Sequence, residues 1–276
     1  MRLGLGLSIS KNNGKFAGGL DADAAAFLTA AGITDATITA AINRLVLNYK
    51  GVGDLNATIN FWSDQLAIYP IVGGTATTHK FNLKDPRDLD AAYRLSFSGG
   101  WTHSANGALP NGTNAFANTF LNATTLSNTD ASLGFYSRTD IVQDSMDISA
   151  SVGGVDTSIA PKWNTLGSLS RIASVFTGAG YNPTNTLGLF CTSKITSGVF
   201  KRYKNGLVGE TVTFAGSAQP NANIYLGCRN VNGTPSAYST RQNAFAFIGK
   251  GITSDANALL IYNIIQQFQT DLARNI

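Results

Sequence analysis

Between Leu187 and Arg229 the chain alternates apolar runs with turn residues: Leu187-Gly188-Leu189-Phe190-Cys191, Val199-Phe200-Lys201-Arg202-Tyr203, Leu207 to Phe214, and Asn223-Ile224-Tyr225-Leu226-Gly227. Asn205-Gly206 divides the second run from the third. That dipeptide tolerates positive φ at both central positions of a type I′ turn, so Tyr203-Lys204 and Leu207-Val208 are expected to pair as a tight antiparallel hairpin. Runs of the same kind occur upstream at Lys80 to Leu83, Tyr93 to Phe97, Ala115 to Phe120, Leu133 to Ser137, Met146 to Val152 and Ile172 to Phe176, and downstream at Asn243 to Gly249. Loops rich in Asn, Gly, Pro and Ser separate them, the longest from Ser98 to Asn114. Short strands punctuated by turn signals predict a mainly β fold, an antiparallel jelly-roll β-sandwich, rather than a parallel α/β sheet.

Ahead of the strands the period is helical. Residues 1 to about 20 read as extended and irregular, with a turn at Lys11 to Lys15. Alanines from Asp21 to Ala31 predict a short helix ending at Gly32. A second helix is expected after Thr34 as cap and Asp35 in the first turn, because Ile38, Ala41, Ile42, Leu45 and Tyr49 recur at helical spacing. A third is expected over about Ala57 to Ile68, closed by Pro70. Gly73 to Thr78 reads as a junction, which divides the chain into an N-terminal helical module, 1–72, and a sandwich, 73–276. At the far end Thr253 or Ser254 caps a helix over 253–273. It carries Ala258, Ile261, Ile265, Phe268 and Leu272 on one side, a face expected to fold back on the rest of the chain.

Composition narrows the function. Charged residues make up 13% of the 276, well under the roughly 25% of an average soluble domain, and 29 glycines with abundant Asn, Thr and Ser supply turns. This suits a β-rich secreted or virion protein better than a cytosolic metabolic enzyme. The net charge of +4 is dispersed, without the basic stripe that nucleic-acid binding requires. Met1 to Ile9 is too short and glycine-rich for a signal-peptide core, and no run approaches the length of a membrane helix, so neither membrane nor nucleic acid is an expected partner. Cys191 and Cys228 fall in predicted strands and are read as buried free thiols, two being too few for a disulfide framework.

Candidate chemistry is thin. Glycoside hydrolysis needs two carboxylates across the scissile bond, and Glu210 is the only glutamate in the chain. Asp85, Asp88 and Asp90 flank Pro86 in what reads as a solvated loop. Neither His79 nor His103 sits in a nucleophile arrangement, and a phosphate loop is missing, Lys250 between two glycines being a strand-end turn. No cofactor is expected. Calcium sites leave little trace in a sequence; Asp140, Asp144 and Asp147 are the candidates for one, with a polar loop the preferred reading. For ligand binding the candidates are Trp101, His103, Asn106 and Asn111 in the long loop, where an indole can stack on a sugar face beside amide donors and acceptors. The alternative, that Trp101 closes the edge of the core, is favoured by how often large aromatics are buried.

The path Ala67-Ile68-Tyr69-Pro70-Ile71-Val72-Gly73-Gly74 through Asp85, with Ser98-Gly99-Gly100-Trp101-Thr102-His103-Ser104 and Pro110-Asn111-Gly112-Thr113, resembles tailed-phage virion proteins of the head-fibre and tail-fibre type. Tyr203-Lys204-Asn205-Gly206, Ile224-Tyr225-Leu226-Gly227 and the final strand and helix resemble laminin-G and concanavalin A-like domains. The resemblance spans about residues 67–276 and supplies no catalytic residue. It implies a non-enzymatic head fibre, capsid decoration or tail-fibre-type component, assembled in the bacterial cytoplasm and resident on the virion. Such a component is commonly oligomeric, contacts other capsid or tail proteins and adheres to host-surface or mucosal glycans. The rival readings are a free carbohydrate-binding lectin and, further off, a glycan-cleaving enzyme.

Overall fold

The computed structural model describes residues 19–175, 181–196, 198–214 and 216–276, without the side chain of Thr165. The extended reading of 1–18, its turn at 11–15, and Phe176 lie outside the described residues. Two helices come first, α1 (Ala22–Ala31) and α2 (Ala36–Tyr49). β1 (Gln65–Tyr69) and the short α3 (Ala76–His79) follow, then β2 (Ser96–Ser98), β3 (Trp101–Ser104), β4 (Gly107–Pro110), β5 (Phe116–Asn122), β6 (Ala131–Ser137), β7 (Ile148–Val152), β8 (Val155–Ile159) and β9 (Arg171–Ser174). The remainder is β10 (Gly188–Thr196), β11 (Val199–Lys204), β12 (Leu207–Thr213), β13 (Asn223–Leu226), β14 (Arg229–Val231), β15 (Thr234–Ser236), β16 (Asn243–Gly249) and α4 (Asp255–Asp271).

The strands form two sheets packed as a jelly-roll-like sandwich. The first runs β12-β11-β10-β6-β16-β4-β3, with β1 also on β16; the second runs β15-β14-β7-β13-β5-β2, extended from β7 through β8 to β9. Pairing is antiparallel except for a single parallel contact between β14 and β7. Asn205 and Gly206 take φ of 50° and 75°, and Tyr203 pairs with Val208 and Lys204 with Leu207, the hairpin that the dipeptide demands.

The first sheet is a middle layer. Its strands send Tyr136, Leu189, Cys191, Tyr203, Phe245 and Phe247 into a core shared with α1, α2 and α4. Alternate residues, among them Leu133, Phe135, Phe190, Ala246 and Ile248, enter the core between the two sheets. The apolar face of α4 is therefore buried intramolecularly, through Ala258, Ile261, Ile264, Ile265 and Phe268. Cys191 and Cys228 are buried free thiols, Cys228 lying between β13 and β14 rather than inside a strand.

Local chemistry explains the helix ends. The Asp21 carboxylate accepts from Asp23 N at 2.9 Å and Gly32 closes α1 at φ 64°. Asp35 rather than Thr34 caps α2, accepting from Ile38 N at 2.8 Å, and Ser254 caps α4. Three further expectations fail. The helix over 57–68 is absent: Asn56 folds the chain around its amide, donating to Ile59 O at 2.6 Å and Asn48 O at 2.8 Å, and Gln65–Tyr69 then joins the edge of β16 as β1. Lys80 to Leu83 is no strand, only an isolated bridge from Asn82 to Asp85. The long loop from Ser98 to Asn114 is a hairpin, with Trp101 opposite Pro110 and Ser104 opposite Gly107. Among the described residues no helix is long and apolar enough to cross a membrane.

Gly134 of β6 lies opposite Phe247 of β16, and a Cβ there would stand 1.9 Å from the Phe247 ring. Gly134→Ala is expected to destabilise by about 1–3 kcal/mol through overpacking, a drop of roughly 2–12 °C in Tm, with Phe247→Leu in the same chain restoring part of it. An unchanged thermal melt would contradict this packing.

Candidate functional site

An uncharged face with open hydrogen-bonding capacity lies on the outer side of the second sheet. β5 alternates: Ala117, Thr119 and Leu121 are buried, while Phe116, Asn118, Phe120 and Asn122 are half-exposed. β13 does the same, with Ile224 and Leu226 inside and Asn223 and Tyr225 outside. Strand register then sets Ser96, Asn118, Tyr225 and Ser149 in one cross-strand row over β2, β5, β13 and β7. Phe116, opposite Ser98, stacks its ring on Tyr225 at 5.0 Å and 20°. Asn118 Oδ1 accepts from Phe120 N at 2.8 Å, which holds Phe120 at φ 56°.

No charged side chain enters this row. The Tyr225 hydroxyl, whose pKa burial raises with Cys228 adding to the shift, is a neutral donor. It has no hydrogen-bond partner among the described residues, and Ser149 Oγ beside it is buried and unpartnered. At the β2 edge the face runs into an open depression of about 260 Å³ lined in part by Lys80, Arg94, Ser96 and Phe97. A stacked aromatic pair among serines and amides can bind a neutral polar ring by apolar contact and hydrogen bonds together.

The four residues picked from sequence do not form one site. Trp101 and His103 share a face of β3 and cluster with Phe97, at ring distances of 5.2 Å and 4.6 Å. Trp101 Nε1 donates to Phe116 O at 3.1 Å and its ring packs against the inter-sheet core, so the indole closes the edge of the core. Asn106 is exposed in the β3–β4 turn. Asn111, at the other end of the hairpin, accepts from Thr113 N, Asn114 N and Ala115 N at 3.0–3.2 Å, shaping its own loop. The outer face escaped notice because Phe116 and Tyr225 meet only through strand pairing; the apolar-polar alternation of Phe116 to Asn122 was the available signal.

The carboxylates suggested for other chemistry are engaged. Glu210 pairs with Arg202 and accepts from Tyr181 N at 2.9 Å. Asp85 takes a two-pronged contact from Arg87. Asp88 and Asp90 bind Arg94. Of the calcium candidates, Asp140 accepts from Thr186 N at 2.8 Å, Asp144 is exposed, and Asp147 is buried against Arg241 at 2.8 Å. Among the described residues no group of three or more His, Cys, Asp or Glu is placed to hold a metal ion.

No family model matches the chain, and no curated protein sequence matches it. Solved structures similar in fold include domain 4 of AbnA, a GH43 extracellular arabinanase from Geobacillus stearothermophilus, in complex with arabinotriose. It is 14% identical over 74% of this chain and 98% of that one, at a TM-score of 0.41. Another is a botulinum neurotoxin type C structure, described with two ganglioside molecules in cell entry, 14% identical over 75% of this chain and 53% of that one, TM-score 0.47. A third is Trypanosoma rangeli sialidase with the inhibitor DANA, 9% identical over 71% of this chain and 32% of that one, TM-score 0.44. The chain thus spans about half of the neurotoxin structure and a third of the sialidase. Likenesses this distant carry no argument about ligand or activity.

Behind Trp101 lies a histidine pair. Gly74 N donates to His79 Nε2 at 3.1 Å, which assigns the His79 proton to Nδ1, and His79 Nδ1 meets His103 Nδ1 at 2.9 Å. Burial, then His103 and Arg274, lower the His79 pKa from 6.5 to about 3. Between those values the unfolded chain takes up a proton that the folded chain refuses, so stability falls as pH drops below 6.5, by about 1.4 kcal/mol per pH unit from this residue. Urea unfolding at pH 7 and pH 5 is expected to show that loss, and His79→Gln to flatten it; equal pH slopes in the two proteins would contradict it.

Proposed function

We propose that this chain is a non-enzymatic structural component of a tailed-phage virion, a head fibre, capsid decoration or tail-fibre-type protein, whose second sheet adheres to a neutral glycan. The observation that carries the adhesive part is the uncharged row Ser96–Asn118–Tyr225 beside the Phe116–Tyr225 stack. Its hydroxyl and amide groups match the alternating donors and acceptors of a sugar ring, and its aromatic pair matches the ring's apolar face. The non-enzymatic part is supported by the carboxylates, since Glu210, Asp85, Asp88, Asp90 and Asp147 are each engaged with an arginine. Placement on a virion rests on the sequence resemblance over residues 67–276 alone. On this reading residues 1–72 serve attachment or oligomerisation.

A free lectin is the second reading, and the same outer face favours it. Antibody labelling of purified particles in the electron microscope separates the two: label on particles is expected, and protein found only in the soluble lysate would leave the lectin. On a glycan array the full chain is expected to bind neutral glycans, and Tyr225→Ala to weaken binding at least tenfold, the equivalent of about 1.4 kcal/mol. A flat array would remove the adhesive role, and sugar release from a polysaccharide would overturn the non-enzymatic one.

A further inference from the structure

At the edge between the sheets where β9, β10 and β11 meet, the chain buries more positive than negative charge. Arg202 of β11 lies opposite Thr192 of β10, and Lys194 lies opposite Phe200. Thr192 and Lys194 share a face of β10 with Phe190, which belongs to the core between the sheets, so strand alternation turns both toward the second sheet. Arg202, 2% exposed, donates Nε to Ser170 O at 2.7 Å and pairs with Glu210. Arg171, 6% exposed, pairs with the fully buried Asp156, whose other oxygen takes Arg229 at 2.9 Å. Lys194, 2% exposed, has neither an ion pair nor a hydrogen bond from its amine among the described residues. Burial alone lowers its pKa. Gly216 makes room for the amine, since a Cβ there would lie 2.1 Å from Nζ.

Several polar groups of this edge are left without a partner among the described residues. Arg171 Nε, Arg202 Nη2, Arg229 Nε and Thr192 Oγ1 are buried with no hydrogen-bond partner there. Burial lowers the pKa of both Arg171 and Arg202 against the opposing pull of their carboxylate partners, and a neighbouring guanidinium lowers each further: Arg229 acts on Arg171, and Arg171 on Arg202. A charged donor left idle in the interior carries a desolvation cost that a compensating group would offset. Four cations, Arg171, Lys194, Arg202 and Arg229, stand here with two carboxylates, Asp156 and Glu210. A dianion would balance them.

We propose that this edge binds a tetrahedral dianionic oxyanion, inorganic sulfate or a phosphate group, the phosphate either free or as a monoester on a sugar. Arg171, Arg202 and Lys194 receive its oxygens, and the Thr192 hydroxyl donates to one of them. Guanidinium forks suit such a group because they present paired N–H donors to its oxygens. The inference does not rest on the virion reading or on the outer face of the second sheet.

Thermal unfolding of the full chain tests it. Sodium sulfate, sodium phosphate and glucose 6-phosphate are titrated above neutral pH against sodium chloride at matched ionic strength, with glucose 6-sulfate and glucuronate as monoanion controls. A saturable rise in Tm is expected with the dianions, weaker with the monoanions. Half-saturation by glucose 6-phosphate at lower concentration than by the inorganic ions would identify a phosphorylated sugar as the ligand, and the reverse order a free ion. Lys194→Met is expected to need at least tenfold more anion than the parent. Thr192→Val, nearly isosteric, is expected to keep the fold and weaken the response several-fold. A non-saturating rise of equal slope in the parent and both variants would be general salt stabilisation and would overturn the site, as would the absence of any rise beyond chloride.

Discussion

β6 and β16 bury both of their faces over their whole length, and that constraint organises the molecule. A strand with one solvated face can alternate polar and apolar residues, but a strand covered on both sides must be apolar or small throughout. Asn243-Ala-Phe-Ala-Phe-Ile-Gly249 and Ala131-Ser-Leu-Gly-Phe-Tyr-Ser137 obey this with large residues set against small ones, Phe247 lying over Gly134. Two covers are then obligatory. The second sheet supplies one; α1, α2 and α4 supply the other, although they come from opposite ends of the chain.

Arg274 fastens that helical cover. Fully buried after the end of α4, it donates to Gln269 Oε1, Ile71 O, Ala105 O, Pro70 O and Ala244 O at 2.7–3.3 Å. Burial lowers its pKa to about 9, which still leaves the guanidinium charged at neutral pH. One side chain thus ties the end of β1, the β3–β4 turn and β16 to the carboxy-terminal segment without a counter-ion. Its five N–H groups match five oxygens, so the desolvation cost is met by hydrogen bonds alone.

Elements whose ends are set by local chemistry were legible in the sequence. Asn205-Gly206, Gly32 and Ser254 each act within a few residues, and so did the readings built on them. Errors fell where partners far along the chain decide. Ala57, Phe61, Ala67 and Ile68 mimic a helical stripe, yet β16, more than 170 residues on, claims Gln65–Tyr69 as a strand. Thr102, Ala105 and Asn106 look like loop, but Gly107, at φ 131° with Asn243 O 2.3 Å from where its Cβ would be, lets the hairpin settle against β16. The outer-face row was half legible: alternation along β5 was visible, but the neighbours of Asn118 come from β2 and β13, and no spacing rule announces that register.

The fold's treatment of its other buried arginines bears on the edge beside β10. Arg241 engages every guanidinium nitrogen, donating to Ile141 O, Ser145 Oγ, Asp147 and Lys162 O, and Arg274 is likewise complete. Among the described residues the unpartnered buried guanidinium atoms are Arg138 Nε and one atom each of Arg171, Arg202 and Arg229. A structural reason would call for carboxylates, which the same region uses sparingly, with a single buried Asp156 shared by two arginines. Three of the four idle guanidinium atoms thus lie where cations outnumber acids, which is what a site prepared for an external anion requires.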